Sequence, residues 1–243
     1  KLFLARDRFG IKPLYWTQAN GVFLFSSELK GMLASGLVSR QVNPNAVWQY
    51  LSLGSVPAPL TILTGVTALL SGHYMTVQNK RVEICQYWDF PSPQHDQTTN
   101  HQVHPIEVER ELRRLLEESI RLHMISDVPV GAFLSGGIDS TAVVGLMSQE
   151  LDRPLKTFSI GFEGVGEEIS ELSYAKVAAQ RFGTDHHEVI VTGEDVAKKF
   201  DQFIEAIDQP SVDGINTYFV SRVAREEVTV ALSGLGGDEL FAG

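Results

Sequence analysis

The spacing of apolar residues changes partway along the chain. Over residues 2–90, short apolar runs such as "LFLARD", "GVFLFSS" and "GHYMTVQ" are separated by Gly, Pro and Asn. Runs of this length and spacing predict antiparallel strands and hairpins. Among them, "SSELKGMLASG" predicts a short helix that a serine opens and Gly36 closes.

Beyond residue 90 the spacing of apolar residues is different. Residues 91–105 are rich in Pro, Gln, Thr, Asn and His, and they are typical of an interdomain linker. After them, apolar residues recur at helical spacing, and four apolar runs ("VGAFL", "LKTFSIGF", "HEVIVT" and "VTVALS") then alternate with further helical stretches. These stretches cover residues 138–151, 173–182, 195–207 and 217–226. Such alternation predicts an α/β fold with a doubly wound parallel sheet.

Two domains are therefore expected. Residues 1–90 form a β-rich domain, residues 91–105 the linker, and residues 106–243 the α/β domain. The sequence has no initiator Met and stops at Gly243 directly after a glycine-rich motif. We expect a fragment whose second domain is truncated at its C-terminal end.

Composition and charge exclude several classes of function. The net charge of −10, without a long Lys/Arg cluster, argues against a general nucleic-acid binder. No apolar stretch approaches the roughly 20 residues of a membrane-spanning helix, and no signal peptide is recognised, so a cytoplasmic location is expected. Cys85 is the only cysteine, which excludes an internal disulfide.

The motif "SGGIDS", residues 135–140, lies where the first strand of the second domain leads into a helix. Gly136 and Gly137 allow a tight turn, and the helix start offers N–H groups to phosphate. Ser135 and Ser140 add hydroxyl groups, and Asp139 fits if it holds Mg²⁺ against the phosphates. The alternative is that Asp139 or Ser140 only caps the helix.

A second motif repeats this arrangement. "VALSGLGGDELFAG" predicts a buried strand followed by Ser-Gly, a glycine turn and two acidic residues. Its candidate ligand-binding residues are Ser233, Gly234, Gly236, Gly237 and Asp238. Two strand ends that each offer Ser-Gly and a carboxylate favour one shared site for a metal-bound nucleotide over two coincidental helix caps.

These motifs resemble the glutamine-hydrolysing asparagine synthetase family. "SGGIDS" is similar to the pyrophosphate-binding loop of its N-type ATP pyrophosphatase domain, and "LSGLGGDELFAG" is similar to the second ATP signature. The first half, through "LARDRFGIKPLYW" and "FSSELKGMLASG", resembles the end of the family's N-terminal-nucleophile (Ntn) glutaminase domain, which is α+β. The resemblance covers essentially the whole chain.

The resemblance implies an ATP-dependent ligase. ATP would convert a carboxylate, the β-carboxylate of aspartate in the type enzyme, into an acyl-adenylate, and ammonia from glutamine would then form the amide. Asp139 and Asp238 are implied as catalytic and Mg²⁺-binding residues. Ser135 and Ser140 would contact pyrophosphate, and Leu134, Ile160 and Gly234 would lie at the adenosine. The implied partners are small-molecule substrates, with a homodimer expected.

Two departures from the family leave alternatives open. The family's glutaminase nucleophile is an N-terminal cysteine, whereas this chain begins at Lys1 and Cys85 is internal. Members that make asparagine commonly carry an acidic residue where this chain has Leu235. The alternatives are the same chemistry on another carboxylate, as in β-lactam-forming or surface-polymer relatives, and a non-catalytic nucleotide-binding module.

The adjacent His186 and His187 invite interpretation as metal ligands. Side chains of neighbouring residues diverge on a strand, and no second ligand motif accompanies the pair. A structural role is the favoured prediction.

Overall fold

The computed structural model describes residues 1–19, 21–91, 104–164 and 171–241. The chain divides into two compact units. The first comprises Lys1–Thr98 and Glu205–Gly214, and the second comprises Thr99–Ile204 and Ile215–Gly243. Most of the predicted linker, residues 92–103, lies outside the described residues.

The first unit is rich in strands, as the short apolar runs predict. Its elements, in chain order, are β1 (Leu2–Ala5), β2 (Tyr15–Ala19), β3 (Val22–Ser26), α1 (Leu29–Ala34), α2 (Pro44–Leu53), β4 (Thr67–Ala68), β5 (His73–Gln78) and β6 (Arg81–Gln86). The strands pair antiparallel in sheets of order β1-β5-β6 and β3-β2-β4. Tyr15, Leu29 and Met32 belong to the buried cluster that joins β2 to α1.

Helix α2 was not predicted, although its end signals are present in the sequence. The Asn43 side chain accepts a hydrogen bond from the Asn45 amide at 3.0 Å, and Pro44 occupies the first helical position. Gly54 ends the helix in the left-handed conformation. Because the helix is short and carries exposed Trp48 and Leu51, its apolar residues are not confined to one face, and periodicity alone misses it.

A segment from later in the chain completes the first unit. In Glu205–Gly214, the Asp208 carboxylate accepts hydrogen bonds from the amides of Leu29 at 2.6 Å and Lys30 at 3.0 Å. Gln209 Oε1 accepts one from the Ile62 amide at 2.8 Å. The expected serine cap of α1 is therefore wrong. No side chain adjoining the helix in sequence caps it, and a distant carboxylate satisfies its first amides.

The second unit contains the predicted alternation of helices and strands. Its elements are α3 (Pro105–His123), β7 (Val130–Phe133), α4 (Ile138–Gln149), β8 (Lys156–Phe162), α5 (Leu172–Phe182), β9 (Asp185–Val191), α6 (Gly193–Ala206), α7 (Gly214–Glu227), β10 (Val230–Leu232) and α8 (Gly237–Phe241). The strands are parallel and lie in the order β10-β7-β8-β9. The α/β prediction is confirmed.

Helices cover both faces of this sheet. On one face, Ala132 and Leu134 are buried with residues of α3, α4 and α5. On the other, Phe133 packs with Phe158 and residues of α7. The alternation of Ala132, Phe133 and Leu134 between the two faces follows from the two-residue period of a strand. The predicted doubly wound arrangement is therefore confirmed.

The order of the strands creates a switch point beside β7. The chain passes outward from β7 to β8 and β9, then returns to the opposite side of β7 as β10. In open α/β sheets, ligands bind beyond the carboxyl ends of the strands where the order reverses. The segments that follow β7 and β10 therefore lie at the position where a ligand is expected.

Helix α3 carries charged pairs along its surface. Arg113 Nε lies 2.8 Å from Glu117 Oε1, and Arg114 bonds Glu111 and Glu118. These pairs suit a helix that buries one face, with Ile120 in the core.

None of the helices within the described ranges is long and apolar enough to cross a membrane.

The capping role of Asp208 can be tested by stability. The variant Asp208→Ala leaves the first amides of α1 without their carboxylate, so we expect a loss of about 1–2 kcal/mol in the free energy of unfolding of the first unit. Trp16, Trp48 and Trp88 are the three tryptophans and all belong to this unit, so urea unfolding followed by tryptophan fluorescence reports on it. Glu205→Ala, which removes an exposed charge nearby, should change little. Equal effects of both variants would contradict the capping role.

Candidate functional site

The first loop begins where β8 holds the end of β7. Leu134, 1% exposed, donates its amide to the Phe158 carbonyl at 2.9 Å. Ile160 lies two residues beyond Phe158, the last residue of β8 that pairs with β7. Leu134 and Ile160, two of the three residues predicted beside the adenosine, are thus at the same carboxyl edge of the sheet.

Gly136 needs to be glycine for two reasons. Its φ is +88°, in the region that disfavours other residues. A Cβ atom there would also lie 2.5 Å from the Ala175 nitrogen and 2.6 Å from the Tyr174 Cβ. The loop after β7 is therefore packed directly against α5, which limits its freedom to move.

The two serines of this loop are bonded to each other. Ser140 Oγ accepts a hydrogen bond from the Ser135 amide at 3.2 Å and lies 2.9 Å from Ser135 Oγ. It also donates to the Gly137 carbonyl at 3.2 Å. Ser140 is 8% exposed, whereas Ser135 is exposed. In this arrangement the Ser140 hydroxyl holds the shape of the loop, and Ser135 is the serine that faces solvent.

The second loop follows β10 and is also closed by local hydrogen bonds. Ser233 Oγ accepts the Leu235 amide at 3.1 Å, and the Gly237 amide donates to the Gly234 carbonyl at 3.2 Å. The turn leads directly into α8, whose first turn carries Asp238. Leu235 lies in the middle of this loop, and its side chain is 85% exposed.

The two loops touch through their glycines. A Cβ atom on Gly237 would lie 2.1 Å from Asp139 Oδ2, and one on Gly234 would lie 2.6 Å from the Ser140 nitrogen. A side chain at Gly234 would collide with backbone atoms of the first turn of α4, and one at Gly237 would displace the Asp139 side chain. The two motifs are thus neighbours in the structure, and their joint binding of one ligand stays a prediction.

The electrostatics of the site favour a cation. Asp139 is half-buried and Asp238 is exposed, and among the described residues neither has a lysine, arginine or histidine nitrogen within 4.0 Å. The described ranges contain no cluster of three or more metal-ligating side chains. Two carboxylates suit Mg²⁺ that keeps waters and is also held by substrate phosphates, rather than a metal caged by protein alone.

The histidine pair lies within the sheet. His186 Nδ1 is 2.8 Å from Thr157 Oγ1, which is itself 2.9 Å from Thr184 Oγ1. The ring of His187 stacks on Phe158 with centroids 5.3 Å apart. Both imidazoles therefore have contacts that suit the structural role predicted for them.

Sequence models of two families match the two halves of the chain. The asparagine synthase model matches residues 111–243, and the glutamine amidotransferase domain model matches residues 1–88. The first match alone covers more than half of the chain. The chain belongs to the asparagine synthase family.

Relatives match over the whole chain. It is 39% identical to a putative glutamine-hydrolysing asparagine synthetase 2 of Methanocaldococcus jannaschii and 36% identical to asparagine synthetase 1 of Bacillus subtilis. It is 30% identical to the amidase chyE of Penicillium rubens. All of this chain is covered in each case, but it spans only 47%, 37% and 38% of these relatives' lengths.

A solved structure of an NH3-dependent NAD synthetase from Campylobacter jejuni is also similar. The likeness has a TM-score of 0.36 and 15% identity over 56% of this chain and 58% of the other. At this level the likeness carries no conclusion about function. Membership of the asparagine synthase family rests on the sequence model.

The contact between the loops predicts the effect of one methyl group. Gly237→Ala places a Cβ against the Asp139 carboxylate, so we expect it to destabilise the second unit by about 1–3 kcal/mol. Gly193→Ala is the matched control, since Gly193 also begins a helix but a Cβ there would meet nothing within 4 Å. Thermal unfolding followed by far-UV circular dichroism measures both. Equal unfolding temperatures for the two variants would contradict the contact.

A second prediction concerns pH. Burial lowers the pKa of His186, and the Glu188 carboxylate 3.5 Å away opposes this shift without cancelling it. The unfolded chain therefore binds a proton that the folded chain does not, and stability should fall as the pH falls through about 6.5, the unperturbed histidine value.

Measuring the free energy of unfolding from pH 8 to pH 5.5 tests this expectation. His186→Gln should make the dependence shallower. If His186→Gln leaves the slope unchanged, His186 does not contribute in the way described.

Proposed function

We propose that the protein containing this chain is an ATP-dependent, amide-forming ligase of the asparagine synthetase type. The observation that carries the proposal is the contact of Gly234 and Gly237 with Asp139 and Ser140. It joins two Ser-Gly loops and two carboxylates at the switch point of a parallel sheet, which suits a nucleotide with its metal.

The nucleotide would lie along the carboxyl edge of the sheet. In this proposal the first amides of α4, which lack intrahelical partners, and the loop around Gly136 and Gly137 face the β- and γ-phosphates. The exposed Ser135 hydroxyl would exchange its bond with Ser140 Oγ for one to the same phosphates. Backbone atoms near Leu134, Ile160 and Gly234 would hold the adenosine, and Ser233 and Gly236 would shape the second loop.

Asp139 and Asp238 would hold Mg²⁺. The metal, when bound with ATP, would neutralise charge on the phosphates. An oxygen of the acceptor carboxylate would attack the α-phosphorus, forming an acyl-adenylate as the bond to pyrophosphate breaks. Ammonia would then attack the acyl carbon and release AMP. The loops contribute by holding the leaving pyrophosphate in a fixed position.

The source of ammonia is proposed from the first half of the chain. Residues 1–88 match the glutamine amidotransferase domain, and the relatives from Methanocaldococcus and Bacillus are named as glutamine-hydrolysing. Glutamine is therefore the proposed nitrogen donor of the complete protein. Aspartate is the first acceptor to test, since those relatives are named as asparagine synthetases.

An alternative acceptor is favoured by one residue. Leu235 has an exposed apolar side chain in the middle of the second loop. It has no charged group that could interact with an amino-acid acceptor or with ammonia. The relative from Penicillium is named as an amidase rather than an asparagine synthetase. The same adenylation on a larger or less polar carboxylate is the second candidate.

The test supplies the complete protein with ATP, Mg²⁺, ammonia and aspartate and identifies the nucleotide product. We expect AMP and pyrophosphate, with kcat/KM for ATP reduced at least about 100-fold in Asp139→Asn. Asp152→Asn makes the same charge change at an exposed position outside the site and should retain activity. AMP that forms only with another carboxylate would support the alternative acceptor. ADP, or no turnover with any acceptor, would contradict adenylation.

A further inference from the structure

A buried hydroxyl on the neighbouring strand reaches the start of the first loop. Ser159, on β8, is 5% exposed and donates a hydrogen bond from Oγ to the Leu134 carbonyl. A serine within the apolar run "TFSIGF" has no local signature, so the sequence pattern does not mark this residue.

The bond lies where the ordinary pairing of strands ends. Phe133 and Phe158 are the last paired residues of β7 and β8. One position further, the Leu134 amide still donates to Phe158, and the Leu134 carbonyl accepts from the Ser159 side chain. Two successive residues of β8 therefore hold both polar groups of Leu134.

The hydrogen bonds of Leu134 continue directly into those of the first loop. The residue after Leu134 is Ser135, whose amide donates to Ser140 Oγ at 3.2 Å, and that hydroxyl donates to the Gly137 carbonyl. The hydrogen bonds thus run from the interior of the sheet, through Leu134, to the first turn of α4. A change at Ser159 would alter the plane of the peptide that begins the loop.

We propose that Ser159 is a positioning residue that presets the first loop for the phosphates of the nucleotide. This inference rests on the proposed function, because it presumes that the loop binds MgATP. Because the loop would no longer be held in one conformation before the nucleotide arrives, loss of the hydroxyl should weaken nucleotide binding by about three- to tenfold.

Thr157 provides a matched control on the same strand. It lies two residues earlier on the same face, is fully buried, and its hydroxyl contacts Thr184 and His186 instead of the loop. Ser159→Ala and Thr157→Val each remove a buried hydroxyl with little change of shape. A merely structural role would give both variants similar effects on stability and on binding.

The experiment measures the Kd for MgATP by calorimetry, together with the free energy of unfolding, in the complete protein. We expect Ser159→Ala to raise Kd about three- to tenfold, Thr157→Val to lower stability without changing Kd, and Ser159→Thr, which keeps the hydroxyl, to restore binding. AMP formation is followed in parallel, so that KM for ATP is separated from kcat, and KM should carry the change.

The outcomes separate the two claims. An unchanged Kd in Ser159→Ala, or an equal rise in Thr157→Val, would overturn the role of Ser159 while leaving MgATP binding by the unaltered protein intact. If the unaltered protein binds MgATP but forms no AMP, the proposed ligase activity would be contradicted. The Kd values of the variants would still decide the role of Ser159. Absence of MgATP binding by the unaltered protein would overturn both.

Discussion

The site depends on the close approach of two loops that follow adjacent parallel strands. Gly237 leaves room for the Asp139 carboxylate, and Gly234 leaves room for the first turn of α4. Without these glycines, a Cβ atom would collide with the first turn of α4 or displace the Asp139 side chain. The strand order places β7 beside β10, and the glycines then allow their loops to share one space.

The hydrogen bonds of the loops determine what remains available for a ligand. The Ser140 hydroxyl is used within the first loop, and Ser233 closes the second. The groups left for binding are helix-end amides and the carboxylates of Asp139 and Asp238. The exposed Ser135 hydroxyl already bonds Ser140 Oγ and accepts from the Gly137 amide, so it would have to exchange a bond to reach a ligand. Amides attract phosphate whereas carboxylates repel it, and the proposed divalent cation, bound together with the nucleotide, would make the two compatible.

Much of the second unit could be predicted from the sequence because its apolar runs differ in length and period from the helices between them. The strands containing Phe133 and Phe158 are examples. Contacts between residues far apart in sequence could not be predicted. Asp208 caps a helix that begins at Leu29, and no local pattern connects them. The hydrogen bond from Ser159 to Leu134 is hidden for the same reason, since only the register of β7 and β8 brings these residues together.

The most direct test of a shared site is a double-mutant cycle on the two carboxylates. The affinity of the complete protein for MgATP, measured by isothermal titration calorimetry, would be compared for Asp139→Asn, Asp238→Asn and the double variant. If both carboxylates hold one metal, Asp238→Asn should weaken binding clearly less in the Asp139→Asn variant than in the unaltered protein. The difference corresponds to an interaction energy of about 0.5–3 kcal/mol. Losses that add without interaction would contradict a single metal and nucleotide site built from both loops.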